Sequence, residues 1–199
     1  MTNWGRLAAF DLETASKGNA VFVYPDGVGG GWDLDTPTGK NPDVALFDAT
    51  LAIASSDACI DLHRVFIAGF SNGAYMANQL ACRRSDRIRA VATHSGGGPY
   101  ENGPDAKYDE RGEVVCGIKP VGSLVIHGTA DGTVAPSEGE KSIKHWSFAN
   151  HCGSATKAGA CASYASCVSP VTACKVPGLG HTMWPEAKAK IWSFFDGQK

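Results

Sequence analysis

Short runs of apolar residues alternate along the chain with longer segments in which apolar residues recur at helical spacing. The apolar runs predict strands at residues 20–24, 64–68, 88–93, 123–127 and 170–176. The longer segments predict helices at residues 5–16, 43–56, 72–82, 137–150 and 186–195. Because parallel strands need a crossover connection, usually a helix, this alternation predicts an α/β fold with a mostly parallel sheet flanked by helices.

Two polar, glycine-rich stretches interrupt the alternation and are predicted to be loops, at residues 27–42 and 96–114. No internal repeat, low-complexity segment or long linker divides the rest of the chain. A chain of 199 residues is long enough for one hydrophobic core, so residues 1–199 are expected to form a single domain.

The composition is that of an ordinary globular protein, with 43% hydrophobic residues and a formal net charge of −2. The 18 lysines and arginines are not gathered into a basic run, which argues against a nucleic acid or an anionic membrane as a partner. No apolar run approaches the roughly 20 residues that a membrane-spanning helix needs. We therefore expect neither kind of partner.

The chain has seven cysteines, four of them close together near its carboxyl end. No Cys-x2-Cys pair is present, so the spacing does not favour a metal site and no metal is expected. Disulfides in an oxidising compartment fit better and predict a secreted protein with at least one unpaired thiol. The first residues lack the pattern of a secretory signal, so the chain is expected to be a trimmed or excised form.

The most informative motif is Gly69-x-Ser71-x-Gly73, which lies between a predicted strand and a predicted helix. This is the nucleophile-elbow pattern, in which a strained turn exposes a serine and glycines replace side chains that would clash. The helix behind the turn directs N–H groups at the site, and the Asn72 N–H is expected to donate to an oxyanion. A glycine-rich turn without catalysis is the alternative interpretation.

A serine nucleophile needs a histidine base and a carboxylate that orients it. Asp131 follows the strand at residues 123–127, and His181 lies in a late glycine-flanked loop. In hydrolase folds that carry this elbow, the chain order is serine, then acid, then histidine, and these residues match it. Asp105 and Asp109 are weaker candidates for the acid because they lie in an irregular loop. The other histidines are less suitable as the base: His94 follows a strand and could line the site, His127 is expected to hydrogen-bond structurally, and His63, His145 and His151 lie elsewhere.

Two tryptophans are candidates for the walls of a substrate site. Trp32 lies in the first glycine-rich loop and Trp184 lies three residues after His181. An aromatic wall suits a flat or an aliphatic acyl group equally. Trp184 could instead pack beneath the last helix, and the sequence does not decide between these positions.

Several ordered motifs resemble one known family. They are Val23-Tyr24-Pro25-Asp26-Gly27, Gly31-Trp32, Cys59-Ile60-Asp61-x-x-Arg64-Val65, Gly69 to Met76, His127 to Val134, and Gly180-His181-Thr182. From about residue 20 to 195 the chain resembles the secreted polyhydroxybutyrate depolymerase / feruloyl esterase family, which is close to carbohydrate esterase family 1. The resemblance implies an α/β-hydrolase fold and ester hydrolysis by the predicted triad, without a metal or organic cofactor.

Members of that family usually begin with two or three more strands and a His-Gly loop that supplies the second oxyanion N–H. This chain is expected to lack those strands, so the second donor is expected to come from elsewhere, for example Trp4 or Gly5. Loss of one such donor costs about 10²–10³ in rate.

The implied fold also suggests a disulfide scheme. Cys59 precedes the elbow strand and Cys82 ends the following helix, so these two are expected to be bonded. The four late cysteines are expected to form two bridges around the His181 loop, with three connectivities left open, and Cys116 is expected to be unpaired.

The sequence therefore favours a serine esterase that acts on a small or polymer-borne ester, such as feruloyl or acetyl esters of plant cell walls. Polyester depolymerisation is the alternative substrate class. A serine peptidase and a truncated hydrolase fold that binds without turnover are the rival functions.

Overall fold

The computed structural model describes residues 11–104 and 106–198, and helices alternate with strands through most of that range. The helices are α1 (Leu12–Ser16), α2 (Pro42–Asp57), α3 (Asn72–Arg83), α4 (Pro136–Ala149) and α5 (Ala187–Asp196). The strands are β1 (Phe66–Phe70), β2 (Ala90–His94), β3 (Gly122–Gly128), β4 (Ala155–Ala158), β5 (Cys161–Tyr164) and β6 (Val171–Val176).

The described strands form one sheet in the order β1-β2-β3-β6-β5-β4. Strands β1, β2, β3 and β6 run parallel, whereas β5 and β4 add an antiparallel hairpin at one edge. Every residue of β2 and β3 is buried, as expected for parallel strands covered on both faces. The predicted α/β class with a mostly parallel sheet is confirmed.

Two apolar clusters fill the space on the two faces of the sheet. Helices α2, α3 and α4 contribute to one cluster, in which Met76 and Trp146 are almost completely buried. Helices α1 and α5 contribute to the other, in which Ile191 and Phe195 pack against the inner strands. The sheet therefore lies between two helical layers, and its carboxyl edge remains available for polar loops.

Local capping explains why the helices begin close to the predicted residues. The Asn41 side chain accepts hydrogen bonds from the N–H groups of Asp43 and Val44 at 3.0 and 3.1 Å, and Pro42 occupies the first turn of α2. Pro136 takes the same place at the start of α4. Helix α5 begins at Ala187, one residue after the predicted start.

The strand predicted at residues 20–24 is wrong. These residues are not a strand in the described sheet, whose edge on this side is β1. A β-forming run becomes a strand only where a partner completes its backbone hydrogen bonds. Of the helix predicted at 5–16, the structure shows only the segment α1, Leu12–Ser16, and residues 5–10 lie outside the described part of the chain.

The region around the four late cysteines contains more regular structure than the sequence indicates. Strands β4 and β5 are short, half-polar and joined by a tight turn with Gly159 at φ 63°. Apolar and polar residues do not alternate clearly along these two strands, because β4 is fully exposed at the sheet edge and needs no apolar face.

The expected Cys59–Cys82 bridge is wrong, and Cys116 is not unpaired. Cys82 is bonded to Cys116, because the long loop after β2 returns beside the end of α3, where the Gly117 N–H donates to the Cys82 carbonyl at 3.0 Å. Cys59 is exposed and free. The late bridges are Cys152–Cys167 and Cys161–Cys174, so the expected two bridges are present and their connectivity is decided.

Within the described residues, no helix combines the length and the apolar character needed to cross a membrane.

Candidate active site

Ser71 lies in the sharp turn between β1 and α3, with φ 54° and ψ −122°. Its side chain does not cap α3 and is free to make other contacts. A Cβ atom on Gly69 would lie 2.1 Å from the Gly73 carbonyl oxygen, so only glycine fits there. A Cβ atom on Gly73 would lie 3.5 Å from Trp32 Nε1, an ordinary contact, so the two glycines differ in how strictly they are required.

Ser71 Oγ lies 2.9 Å from His181 Nε2. The other ring nitrogen of His181, Nδ1, lies 2.9 and 3.1 Å from the two carboxylate oxygens of Asp131. A carboxylate only accepts, so Nδ1 carries the proton and Nε2 presents its lone pair to the serine hydroxyl. The three side chains predicted from the sequence therefore form one continuous hydrogen-bonded chain.

Asp131 is held as a carboxylate although its side chain is 0% exposed. Burial by itself raises the pKa of this group, but hydrogen bonds from His181, the Val134 N–H, Ser95 and the Thr133 N–H outweigh it and lower the pKa to about 2. The two backbone donors lie 2.9 and 3.0 Å from Oδ1. Asp131 is thus a carboxylate except at strongly acidic pH.

The loops that carry Asp131 and His181 are packed directly on each other. The Ala130 N–H donates to the Leu179 carbonyl at 3.0 Å, and a Cβ atom on Gly128 would lie 2.1 Å from the same oxygen. The ring of Phe70, beside the elbow, lies 4.9 Å from the ring of His181. Close backbone packing thus fixes the imidazole between the acid and the serine.

Asn72 is the first residue of α3 and presents its backbone N–H at the amino end of that helix. Its side-chain Oδ1 accepts the Trp32 N–H at 2.9 Å, which holds the glycine-rich loop against the elbow. Trp32 is partly exposed and packs beside Gly73, so the structure brings it to the site. Trp4 and Gly5, the suggested second oxyanion donors, lie outside the described residues.

Trp184 is only 9% exposed and belongs to the apolar cluster beneath α5. Trp184 thus packs under the last helix and does not form a wall of the substrate site, which were the two alternatives that the sequence left open. Its side chain therefore contributes to the core, while its backbone lies close to the site.

Two polar residues at the end of β2 also lie at the site: His94, which the sequence suggested could line it, and Ser95, which was not assigned to it. His94 Nδ1 lies 3.0 Å from Ser95 Oγ, and both side chains are buried. The available signal was a His-Ser pair that ends an apolar strand next to the elbow strand. His127, expected to be structural, has Nε2 3.0 Å from the Val134 carbonyl and 3.6 Å from Asp131 Oδ2.

One group of described residues has the geometry of metal ligands: Cys82, Cys116 and His145, with potential ligand atoms within 4.8 Å of one another. The two sulfur atoms are bonded to each other in a disulfide, so they do not offer thiolates. This group lies far along α3 from Ser71 and takes no part in the triad.

Sequence comparison finds relatives with a consistent name. The chain is 30% identical over 204 residues to a probable feruloyl esterase C of Aspergillus terreus, covering 94% of this chain and 68% of the relative. It is also 30% identical over 203 residues to feruloyl esterase C of Emericella nidulans, with the same coverage. No family model matches the chain.

Structure comparison supports the fold. An acetyl xylan esterase from Aspergillus awamori superposes with a TM-score of 0.59 at 18% identity, covering 85% of this chain and 74% of that one. A CE1 ferulic acid esterase from Anaeromyces mucronatus gives a TM-score of 0.51 at 20% identity, covering 77% of this chain and 52% of that one. The resemblance noted from the motifs is confirmed: the chain belongs to the feruloyl esterase family and is a carboxylic ester hydrolase with an α/β-hydrolase fold.

Proposed function

We propose that the protein hydrolyses feruloyl or acetyl esters of plant cell walls through an acyl-enzyme formed on Ser71. The observation that carries the proposal is the continuous chain from Ser71 Oγ to His181 Nε2 and from His181 Nδ1 to the Asp131 carboxylate, with both links at 2.9 Å. This is the arrangement of a nucleophile, a general base and an orienting acid.

In the first half-reaction, Ser71 Oγ attacks the ester carbonyl carbon while its proton passes to His181 Nε2. The tetrahedral intermediate collapses, the bond to the alcohol oxygen breaks, and His181 returns the proton to the leaving alcohol. Asp131, charged and buried, stabilises the imidazolium that exists between these steps. No metal or organic cofactor is required for this chemistry.

In the second half-reaction, water loses a proton to His181 and attacks the acyl carbon on Ser71. Collapse of the second intermediate releases the carboxylic acid and returns the proton to Ser71 Oγ. The Asn72 N–H, at the amino end of α3, is proposed to donate to the oxyanion in both intermediates.

The substrate class is inferred from the residues near the elbow and from the relatives. Trp32 offers a partly exposed indole beside Gly73, next to the proposed nucleophile, and an aromatic wall suits a feruloyl ring. The relatives of known name are feruloyl esterases, which favours a small aryl ester over a polyester.

We also propose that the protein is secreted and that residues 1–199 form one folding unit. Three disulfides, Cys82–Cys116, Cys152–Cys167 and Cys161–Cys174, fit an oxidising extracellular environment.

The test compares hydrolysis of methyl ferulate, p-nitrophenyl acetate, polyhydroxybutyrate and a peptide anilide by the wild type and by Ser71→Ala. Turnover of the first two esters should fall by about 10⁴-fold or more in the variant, because the nucleophile is lost. A fluorophosphonate should label the wild type at Ser71 and should not label the variant. Labelling at another serine, or equal turnover by the variant, contradicts the proposed nucleophile.

The same assays decide between the rival functions. Preferential release of hydroxyalkanoate from the polymer would replace the plant-wall ester with a polyester substrate, and anilide cleavage would indicate a peptidase. Absence of both turnover and labelling in correctly folded protein would indicate a fold that binds without catalysis.

A further inference from the structure

The end of β2 carries two buried polar side chains that the proposed mechanism does not use. His94 and Ser95 are each 0% exposed, and Ser95 has a left-handed backbone conformation with φ 56°. A non-glycine residue in this region is uncommon and is usually retained where surrounding contacts require it. Buried polar groups of this kind are costly unless their hydrogen bonds are complete.

The hydrogen bonds of this pair have one consistent direction. The Trp184 N–H donates to His94 Nε2 at 3.0 Å, so Nε2 is an acceptor and the ring proton is on Nδ1. Nδ1 therefore donates to Ser95 Oγ, which lies 3.0 Å away. The Ser95 hydroxyl proton is then free for another acceptor, and Ser95 is among the groups that lower the pKa of the Asp131 carboxyl.

The same two residues link the elbow to the loops that carry Asp131 and His181. The His94 carbonyl accepts the Ser71 N–H at 2.9 Å, which ties the elbow to β2. Ser95 helps to lower the pKa of the Asp131 carboxyl, and the His94 ring accepts the backbone N–H of Trp184, three residues after His181. A single dipeptide thus joins three loops that are distant in the sequence.

We propose that His94 and Ser95 are positioning residues for ester hydrolysis, with Ser95 orienting the Asp131 carboxylate and His94 holding the loop that carries His181. This inference rests on the proposed triad, because it assigns these residues to support of that same site. They touch neither substrate nor reacting atoms, so their effect is on the geometry of the general base.

The environment of His94 keeps its ring in the state that this arrangement needs. Burial lowers the pKa of His94 to about 4, the nearby His127 and His181 act in the same direction, and Asp131 opposes them. A neutral ring retains the Nε2 lone pair that accepts the Trp184 N–H, whereas a protonated ring would have no acceptor there.

The first test is Ser95→Ala, with Ser123→Ala as the matched control. Ser123 is also completely buried, on the adjacent strand β3, and its Oγ has no hydrogen-bond partner among the described residues. We expect Ser95→Ala to lower kcat for methyl ferulate by about 10-fold with little change in KM, because the general base is misaligned rather than removed. Ser123→Ala should behave as the wild type, and kcat is calculated per site titrated with a fluorophosphonate.

A pair of substitutions separates the two contacts of His94. His94→Asn keeps a donor near the position of Nδ1 and lacks an acceptor for Trp184, whereas His94→Gln keeps an acceptor near Nε2 and lacks the donor to Ser95. Both should lower kcat per titrated site. Combining His94→Gln with Ser95→Ala should add little to Ser95→Ala, since the two changes break the same link to Asp131.

A measurement that does not depend on catalysis tests the positioning role separately from the proposed function. The downfield proton resonance of His181 Nδ1, which reports its bond to Asp131, should shift or broaden in Ser95→Ala and remain unchanged in Ser123→Ala. If the wild type does not hydrolyse esters but this resonance responds, the proposed function fails and the positioning role stands. An unchanged resonance together with unchanged kcat in Ser95→Ala overturns the positioning role.

Discussion

At the scale of single residues, burial and hydrogen bonding have opposite effects on the pKa of Asp131. Its folded pKa is lowered from 3.8 to about 2, so its contribution to stability is complete above pH about 4 and is lost as pH falls towards 2. The difference in unfolding free energy between the wild type and Asp131→Asn should therefore shrink by about 2 kcal/mol over that range. Urea titrations at several pH values measure it. A difference that does not vary with pH would contradict the network of donors around this carboxylate.

The two glycines of the elbow give a second prediction for single residues. Gly69→Ala places a methyl group against the Gly73 carbonyl and should destabilise the fold by about 3 kcal/mol or more. Gly73→Ala, the control, places its methyl group in ordinary contact with Trp32 inside a helix and should be neutral or stabilising by up to about 1 kcal/mol. Thermal unfolding of both variants is the measurement, and equal effects would argue against the steric explanation.

Individual residue types also explain how much of the site was predictable. Ser71, Asp131 and His181 each follow a strand or lie in a loop with a recognisable local pattern, so the sequence could select them as the candidate triad that the structure brings together. Ser95 has no such pattern, because its importance comes from the neighbours that the fold brings to it. Trp184 looked equally suited to the site and to the core, and only its packing against α5 decided the matter.

At the scale of elements, the hairpin of β4 and β5 depends on its cysteines. Cys161 on β5 and Cys174 on β6 are directly opposite each other in the sheet and are bonded. Replacing both with serine should lower the free energy of unfolding by about 3 kcal/mol, as expected for a loop of this length. Cys59→Ser, the exposed free cysteine, is the control and should change it by less than about 0.5 kcal/mol.

The cysteine pairing itself is checked by alkylating the unfolded, unreduced protein and mapping the label. One labelled residue, Cys59, is expected. Label at Cys116 instead would restore the pairing first expected from the sequence and contradict the Cys82–Cys116 bridge.

Helices were predictable as elements because their caps and periodicity are local. Asn41 and Pro42 mark the start of α2 in the sequence as clearly as in the structure. Strands depend on partners, so the run at residues 20–24 was assigned wrongly, and β4 and β5, which extend the sheet from β6, were missed.

At the scale of the whole molecule, the proposed triad is assembled from residues that follow separate parallel strands. Ser71 follows β1, Asp131 follows β3 and His181 follows β6, so no single element contains the site. Esterase activity and tryptophan fluorescence should therefore be lost at the same urea concentration, in one cooperative transition. Loss of activity at clearly lower urea, while fluorescence remains native, would show that the loops unfold separately.

The sequence by itself determined the α/β class, the places of the five helices and the three residues of the proposed triad, because helix patterns and the elbow motif are local. Tertiary structure decided the disulfide partners, the burial of Trp184 and the contacts of His94 and Ser95. These features depend on which loops meet at one edge of the sheet. Residues distant along the chain become neighbours there only after the strands have paired, so no local sequence pattern predicts these contacts.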